Sequence, residues 1–308
     1  MRVALAAEEA AGVQAIRLVM ARGHEVVAVL TGSGAGGLGT SVAGVARQHG
    51  LPVRPAELMR DPAFAELLSD IDLLLNVHSL HIADPAVVAA PRLGAFNLHP
   101  GPLPEYAGLH VVSWAIYEGR CRYGVTLHRM VADVDAGSIA FAAAFPIFKS
   151  DTGLTLMMRC VREGLPLVER LLTCAERGEP IPAIAQDLTR RRWFTLGPPD
   201  GGRLRWDRPA ESVANFVRAA DYRPFRSPWG APTCQVDRDD ISISVLAARA
   251  EQTTTTGVPP GTVGRRDGEA VLVAAADRWV RVERVRVGEQ ELDAAAALSP
   301  GQKLLTHA

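Results

Sequence analysis

The chain has 308 residues, 48% of them hydrophobic and 22% charged, with 33 Lys and Arg against 34 Asp and Glu. A length of this order corresponds to about two domains, and the apolar share excludes a globally disordered chain. The net charge of −1 leaves no basic surplus of the kind a general nucleic-acid coat needs.

The four cysteines, Cys121, Cys160, Cys174 and Cys234, are scattered and form no CxxC pair. That points away from a disulfide framework or a zinc site and toward a reducing compartment. The opening MRVALAAEEAAG is broken by Glu8 and Glu9 and does not read as a signal peptide. No apolar stretch approaches the roughly 18 residues of a membrane span. A soluble cytoplasmic protein is expected.

In chain order, residues 2–6 read as a buried strand and 9–22 as a helix with Val13, Ile16, Leu18 and Val19 on its apolar side. A second strand at 25–31 is followed by helices over about 40–49 and within 61–69, then strands at 72–77 and 94–98. Short apolar strands alternating with helices predict an α/β fold with a doubly wound, mostly parallel, Rossmann-like sheet. The strands are near-continuous apolar runs, as both covered faces of such a sheet demand. From 122 the pattern changes: 123–130 and 138–147 read as a strand pair around a turn, and Asp151 as the N-cap of a helix running to about Arg177. Residues 178–203 are rich in Pro, Gly and Arg and read as a linker. Beyond lie a helix near 208–220 and short β segments, which suggest a smaller β-rich, barrel-like domain. The boundaries drawn are 1–180, a linker at 181–203, and 204–308. Trp206, Tyr222, Trp229 and Phe225 in the second domain read as packing residues, with the lining of an acceptor groove as the alternative.

The densest polar group in an apolar setting is FNLHPGPLPEYAGLH at 96–110. Asn97 and His99 lie two apart at a strand end, so both side chains share a face. The prolines that follow turn the chain sharply at the carboxyl edge of the sheet, where open α/β sheets bind ligands. Downstream, DVDAGS at 133–138 sets two carboxylates on a loop. An amide, an imidazole and a carboxylate together suit acyl transfer, by oxyanion donation, proton transfer and orientation. Taken alone, Asn97 and His99 read equally as a strand end, and Asp133 and Asp135 as turn residues.

FNLHPGPLPEYAG, SWAIYEG and GVTLHRMVADVDAGSIA, in this order and spacing, resemble the core of the folate-dependent formyltransferases. GHEVVAVLT at 23–31 is similar to the second strand of that family. RLRWDRPAESVANFVRAAD, followed by PGTV, resembles the C-terminal domain of its tRNA and amino-sugar members. The resemblance implies a catalytic domain at 1–180 and a C-terminal domain at 204–308. It implies Asn97, His99 and Asp135 as the catalytic group, 10-formyltetrahydrofolate as co-substrate, and an oxyanion stabilised by Asn97 and a protonated His99. The pterin would be held through the backbone of His78, Ser79, Leu80, His81 and Ile82 and of Val131, Ala132, Asp133 and Val134. His78 and His81 read equally as ordinary loop histidines. His110 and His128 receive no role, and His128 reads as a core residue.

Gly32, Gly34 and Gly37 spell GxGxxG, with Glu57 twenty residues beyond Gly37, a pattern that on paper is a dinucleotide fingerprint. It follows the second strand rather than the first and sits in a glycine-rich run, which weighs against nicotinamide binding. As for the acceptor, the tRNA enzymes of the family carry a basic loop after the second strand. This chain has no Lys or Arg between Arg22 and Arg47. From Arg203 to the end, 15 Lys and Arg face 14 Asp and Glu. Phosphate contacts dominate nucleic-acid affinity, so the expected acceptor is a primary amine or hydroxylamine on a small molecule or carrier. A methionyl-tRNA formyltransferase, a 10-formyltetrahydrofolate hydrolase and a non-catalytic folate module are the alternatives.

Overall fold

The computed structural model describes residues 1–32, 41–237 and 241–305. The elements run β1 (Arg2–Ala7), α1 (Glu9–Ala21), β2 (Glu25–Thr31), α2 (Val42–Gln48), β3 (Val53–Pro55), α3 (Phe64–Leu68), β4 (Leu73–Val77), α4 (Pro85–Ala89) and β5 (Gly94–His99). There follow β6 (Ala107–Gly108), α5 (Val111–Tyr117), β7 (Arg122–Arg129), β8 (Ile139–Pro146), α6 (Gly153–Arg177) and β9 (Trp193–Phe194). The chain divides into two compact units. The first comprises 1–111, 122–146 and 157–194, the second 112–121, 147–156 and 195–308.

In the first unit seven strands form one sheet in the order β3-β2-β1-β4-β5-β7-β8. Pairing is parallel from β3 to β5 and antiparallel at β5–β7 and β7–β8. The strand pair read after residue 122 therefore extends the main sheet. On one face Ala4, Ala6, Leu30, Leu74 and Ala95 pack against Met59, Phe64, Leu68 and Val87. Truncating a side chain as buried as Leu74 to Ala costs about 2–5 kcal/mol in such a core.

Helix α1 has no side-chain cap at Glu8. The Glu8 carboxylate instead accepts from the Gly32 N–H (2.6 Å) and the Thr31 hydroxyl (3.0 Å). The first glycine of the GxGxxG pattern thus faces a carboxylate; Gly34 and Gly37 lie outside the described residues. Strand β9 pairs with β6, and Ile184 bridges Ile139. Residues 181–194 of the expected linker are therefore paired into the first unit.

The second unit holds α7 (Ala210–Ala219) and strands β10 (Thr233–Val236), β11 (Ile241–Thr254), β12 (Val263–Asp267), β13 (Ala270–Ala274), β14 (Arg278–Val287), β15 (Gln290–Asp293) and β16 (Leu304–Leu305). The sheet order is β12-β13-β14-β11-β10-β16, with β15 on β14. The two ends of that path meet through an isolated bridge, Thr262 to Lys303, flanked by backbone bonds such as Val263 N–H to Gln302 O (2.9 Å) and Leu304 N–H to Gly261 O (2.8 Å), and not through a ladder between named strands. The barrel-like expectation is thus met only in part: the sheet is not a closed barrel. Trp206, Tyr222 and Trp229 are buried, but Phe225 is exposed. Trp229 packs edge-to-face with Trp114 at 5.1 Å between ring centroids.

The cap expected at Asp151 is one residue off. Thr152 and Thr155 cap α6 reciprocally, with Thr152 N–H on Thr155 Oγ1 (2.9 Å) and Thr155 N–H on Thr152 Oγ1 (3.3 Å). Asp151 is buried and accepts from the Phe148 N–H (2.7 Å) and the Thr155 hydroxyl (3.1 Å). Among the described residues no helix is long and apolar enough to cross a membrane.

Candidate active site

Strand β5 ends in Asn97 and His99, which share a face of the sheet. The HPGPLP turn beyond them is fastened to β7. The Tyr123 hydroxyl donates to Pro100 O (2.9 Å), the Thr126 hydroxyl to Gly101 O (2.8 Å), and the Leu103 N–H to Thr126 Oγ1 (3.1 Å). This turn carries Tyr106 back over the sheet end, where its carbonyl lies 2.6 Å from His99 Nε2. A carbonyl only accepts, so Nε2 carries the hydrogen and Nδ1 is the basic nitrogen of neutral His99. Gly101 makes this approach possible: a Cβ there would lie 2.8 Å from His99 Nε2 and 2.9 Å from Tyr106 O.

Asp135 reaches the same place from the β7–β8 turn, with a left-handed backbone at φ 58°. Its carboxylate accepts the Gly108 N–H at 2.9 Å and faces His99 Nδ1 at 3.7 Å. It lies 3.5 Å from both Asn97 Nδ2 and His128 Nε2. Burial opposes ionisation of Asp135, yet the imidazoles of His99 and His128 and the Gly108 N–H prevail and hold the carboxyl well below its usual range. For His99 the balance runs the other way. Burial lowers its pKa and outweighs the neighbouring carboxylate and the bond to Tyr106. The two form a buried pair in which Asp135 is pushed toward its ionised form and His99 toward its neutral form.

The structure brings Asn97, His99 and Asp135 together and adds a residue that sequence reasoning set aside. His128 on β7 stands opposite Asn97 in the register. Its Nδ1 lies 3.0 Å from Arg129 O, and its Nε2 lies 3.1 Å from Asn97 Nδ2 and faces the Asp135 carboxylate. Beyond this contact, Asn97 Nδ2 makes only the long 3.5 Å reach to Asp135. Asn76 on β4 is in register with Asn97 on the other side. It is the one uncharged polar residue in the apolar run DLLLNV, a signal that was there to read.

The two loops expected at the pterin are placed differently from one another. Residues 78–82 follow β4 at its carboxyl end. The 131–135 turn follows β7, which runs against β5. It therefore begins where the Met130 N–H meets Ala95 O and doubles back until Asp135 reaches Asn97. Among the described residues Asn76 Oδ1, Ser79 Oγ and His81 Nδ1 are buried without a hydrogen-bond partner. Leu80 and Ile82 are 65% and 60% exposed, and Val131 is exposed as well. His78 has φ 60° and lies 3.8 Å from the Glu9 carboxylate. Val134 O accepts from the Arg191 guanidinium. The Asp133 side chain is committed to Arg191 at 3.0 Å, so only the backbone of Ala132 and Asp133 is left to face a ligand.

An amide, an imidazole and a carboxylate gathered over the end of one strand of a Rossmann-like sheet have the chemistry that acyl transfer needs, and the family is shown by comparison. The family described as formyl transferase matches residues 18–169, and the formyl transferase C-terminal domain matches 198–300. The chain belongs to the formyltransferase family and is an enzyme of that class.

It is 32% identical over 268 residues to the methionyl-tRNA formyltransferase of Synechococcus sp. (strain JA-3-3Ab), covering 84% of this chain and 80% of that relative. To the methionyl-tRNA formyltransferase of Thiobacillus denitrificans it is 30% identical over 322 aligned positions, 99% of each chain. Its fold is similar to that of the N-formyltransferase from Helicobacter canadensis in complex with folinic acid and dTDP-3-aminofucose (TM-score 0.69, 14% identity, 91% of this chain and 98% of that one). It is also similar to WlaRD, a sugar 3N-formyl transferase solved with dTDP and 5-N-formyl-THF (TM-score 0.71, 13% identity, 94% and 98%).

Proposed function

We propose that the protein transfers the formyl group of 10-formyltetrahydrofolate to a primary amine or hydroxylamine borne by a small molecule or a carrier. The observation that carries this reading is the convergence of Asn97, His99 and Asp135, with His99 Nδ1 3.7 Å from the carboxylate. The folate supplies the formyl carbon as an activated amide. Asn97 Nδ2 donates to the formyl oxygen as negative charge develops there; one such donor is typically worth about 10²–10³ in rate. His99 Nδ1 accepts the proton of the attacking amine, and Asp135 stabilises the imidazolium so formed. His99 then returns the proton to the departing nitrogen.

The residues present fit such a donor. Three buried polar atoms on Asn76, Ser79 and His81 are available to a heteroaromatic edge. Leu80, Ile82 and Val131 offer exposed apolar surface for its flat rings. The backbone of 78–82 and of Ala132 and Asp133 would hold the group.

The absence of Lys and Arg between Arg22 and Arg47 and the near-neutral balance after Arg203 favour a small or carrier-borne acceptor. The second reading, methionyl-tRNA as acceptor, is favoured by the sequence relatives that bear that name. The deciding experiment offers formyl-labelled 10-formyltetrahydrofolate with a panel of amines, hydroxylamines and charged initiator tRNA, and reads products by mass. Label on an amine, abolished in Asn97→Ala, supports the first reading. Label on tRNA alone supports the second. Formate alone, whatever the acceptor, makes the protein a hydrolase and overturns both.

A further inference from the structure

The catalytic carboxylate sits on a turn with an unfavourable backbone, and the sequence after α6 supplies what holds it there. We propose that Gln186 and Arg191, in the segment expected as a linker, are positioning residues that fasten the 133–137 turn so that Asp135 meets His99 and Gly108. The proposal rests on the formyl-transfer reading above.

Three observations carry it. Gln186 Nε2 donates to two carbonyls at once, Asp135 O at 2.9 Å and Gly137 O at 2.6 Å. These carbonyls bracket the turn, and the first belongs to the residue at φ 58°. A left-handed conformation is disfavoured for any residue with a Cβ and persists only where its surroundings impose it.

The opposite side of the turn cannot yield. A Cβ on Gly137 would lie 1.8 Å from Arg129 O, so this residue is pressed against the end of β7. With one side held by β7 and the other by Gln186, the direction of Asp135 is fixed.

Arg191 completes the fastening. Its guanidinium donates to Asp133 Oδ2 at 3.0 Å and also to Val134 O, the two residues before Asp135. The segment reaches these contacts because its own path is set. The backbone bridge of Ile184 to Ile139 anchors its start, and Asp187 caps a short turn by accepting from Thr189 N–H (3.2 Å) and Oγ1 (2.6 Å). Strand β9 then pairs with β6, whose Gly108 donates the N–H that Asp135 accepts. One stretch of chain therefore reaches the carboxylate's own carbonyl, the residues before it, and the strand of its hydrogen-bond donor.

The test uses the full-length protein and compares Gln186→Met, Arg191→Ala and Arg191→Lys, alone and in an Asp135→Asn background. Gln186→Met keeps the side-chain length and removes both hydrogen bonds. Small displacements of a reacting group are costly, so we expect kcat with 10-formyltetrahydrofolate to fall about 10- to 100-fold while KM for the donor stays within about threefold. Because Gln186 acts through Asp135, the same change should add little once Asp135 is Asn. Arg191→Lys, which retains the charge, should recover most of the activity lost in Arg191→Ala.

Amide exchange at Gly108 gives a readout independent of turnover, since that N–H is protected by Asp135; it should exchange faster in Gln186→Met and Arg191→Ala. Wild-type kcat in both variants, a loss that adds in full to that of Asp135→Asn, or unchanged Gly108 exchange would each overturn the proposal. If the wild-type protein turns over no formyl donor, the formyl-transfer reading fails by itself, and Gly108 exchange still decides whether these two residues hold the turn.

Discussion

Replacing Asp135 with Asn tests the electrostatics of the site most directly. The substitution keeps the shape and removes the charge. In the structure that charge lies 3.7 Å from His99 Nδ1 with both groups buried. At an effective dielectric near 20, opposite unit charges at this separation attract by about 4 kcal/mol. If the carboxylate stabilises the imidazolium only when His99 has taken the amine proton, its loss raises the barrier by up to that amount, or about a thousandfold in kcat. The pH profile supplies a second, signed check. Turnover requires neutral His99, so activity falls as acid protonates it. Burial lowers the His99 pKa, while Asp135 and the bond to Tyr106 raise it; removing Asp135 leaves only the Tyr106 bond against burial. The acid limb of Asp135→Asn should therefore move to lower pH while the plateau drops. Both are measured by formyl transfer, or donor hydrolysis, across a pH series at saturating donor. A plateau within a few-fold of wild type, or a limb that moves toward higher pH, would refute the reasoning.

Other expectations follow from the same geometry. Gly101→Ala should cost activity nearly as much as losing His99, because its methyl would meet His99 Nε2 and Tyr106 O at 2.8 and 2.9 Å; steady-state kinetics beside a thermal melt separates this from unfolding. Alkylation followed by peptide mass mapping should find exposed Cys121 modified first. Buried Cys160, and Cys234 whose thiol burial pushes up to about 12, should resist until the protein is denatured. With a small amine as acceptor, KM should change little with salt. A tRNA acceptor would instead show an affinity slope of about −0.7 to −0.9 per phosphate contact.

The fold was legible wherever local sequence and tertiary demand agree. The apolar runs of β1 and β4 are buried along almost their full length, and a run with no polar alternation has no other stable place than a doubly covered sheet. Asn97 and His99 were legible because a strand's two-residue period is enough to put them together. Asp135 rested on the family motif, and nothing in its local sequence reveals that it folds back to Asn97. His128 was lost because a histidine in a strand pattern looks the same whether it fills a core or holds an amide; only the β5–β7 register sets it beside Asn97. Gln186 and Arg191 were missed for a different reason. Their contacts go to backbone carbonyls and to residues 49 to 58 positions away, and a Pro-, Gly- and Arg-rich stretch carries no periodicity that announces such pairing. The cap at α6 was misplaced by one residue because Asp151 and Thr152 are both good caps, and Thr155 three residues beyond Thr152 decides between them.

The discontinuity of the first unit has a bearing on how the protein is made. Translation delivers the chain from its N-terminus, so Asn97, His99, His128 and Asp135 all emerge before α6 has begun. Strand β9, which pairs beside Gly108, is residues 193–194 and emerges only after the whole of that long helix. A nascent chain thus possesses these four side chains well before it possesses the strand that pairs beside Gly108. A chain interrupted before residue 193 therefore carries all four side chains but lacks the β6–β9 pairing beside Gly108.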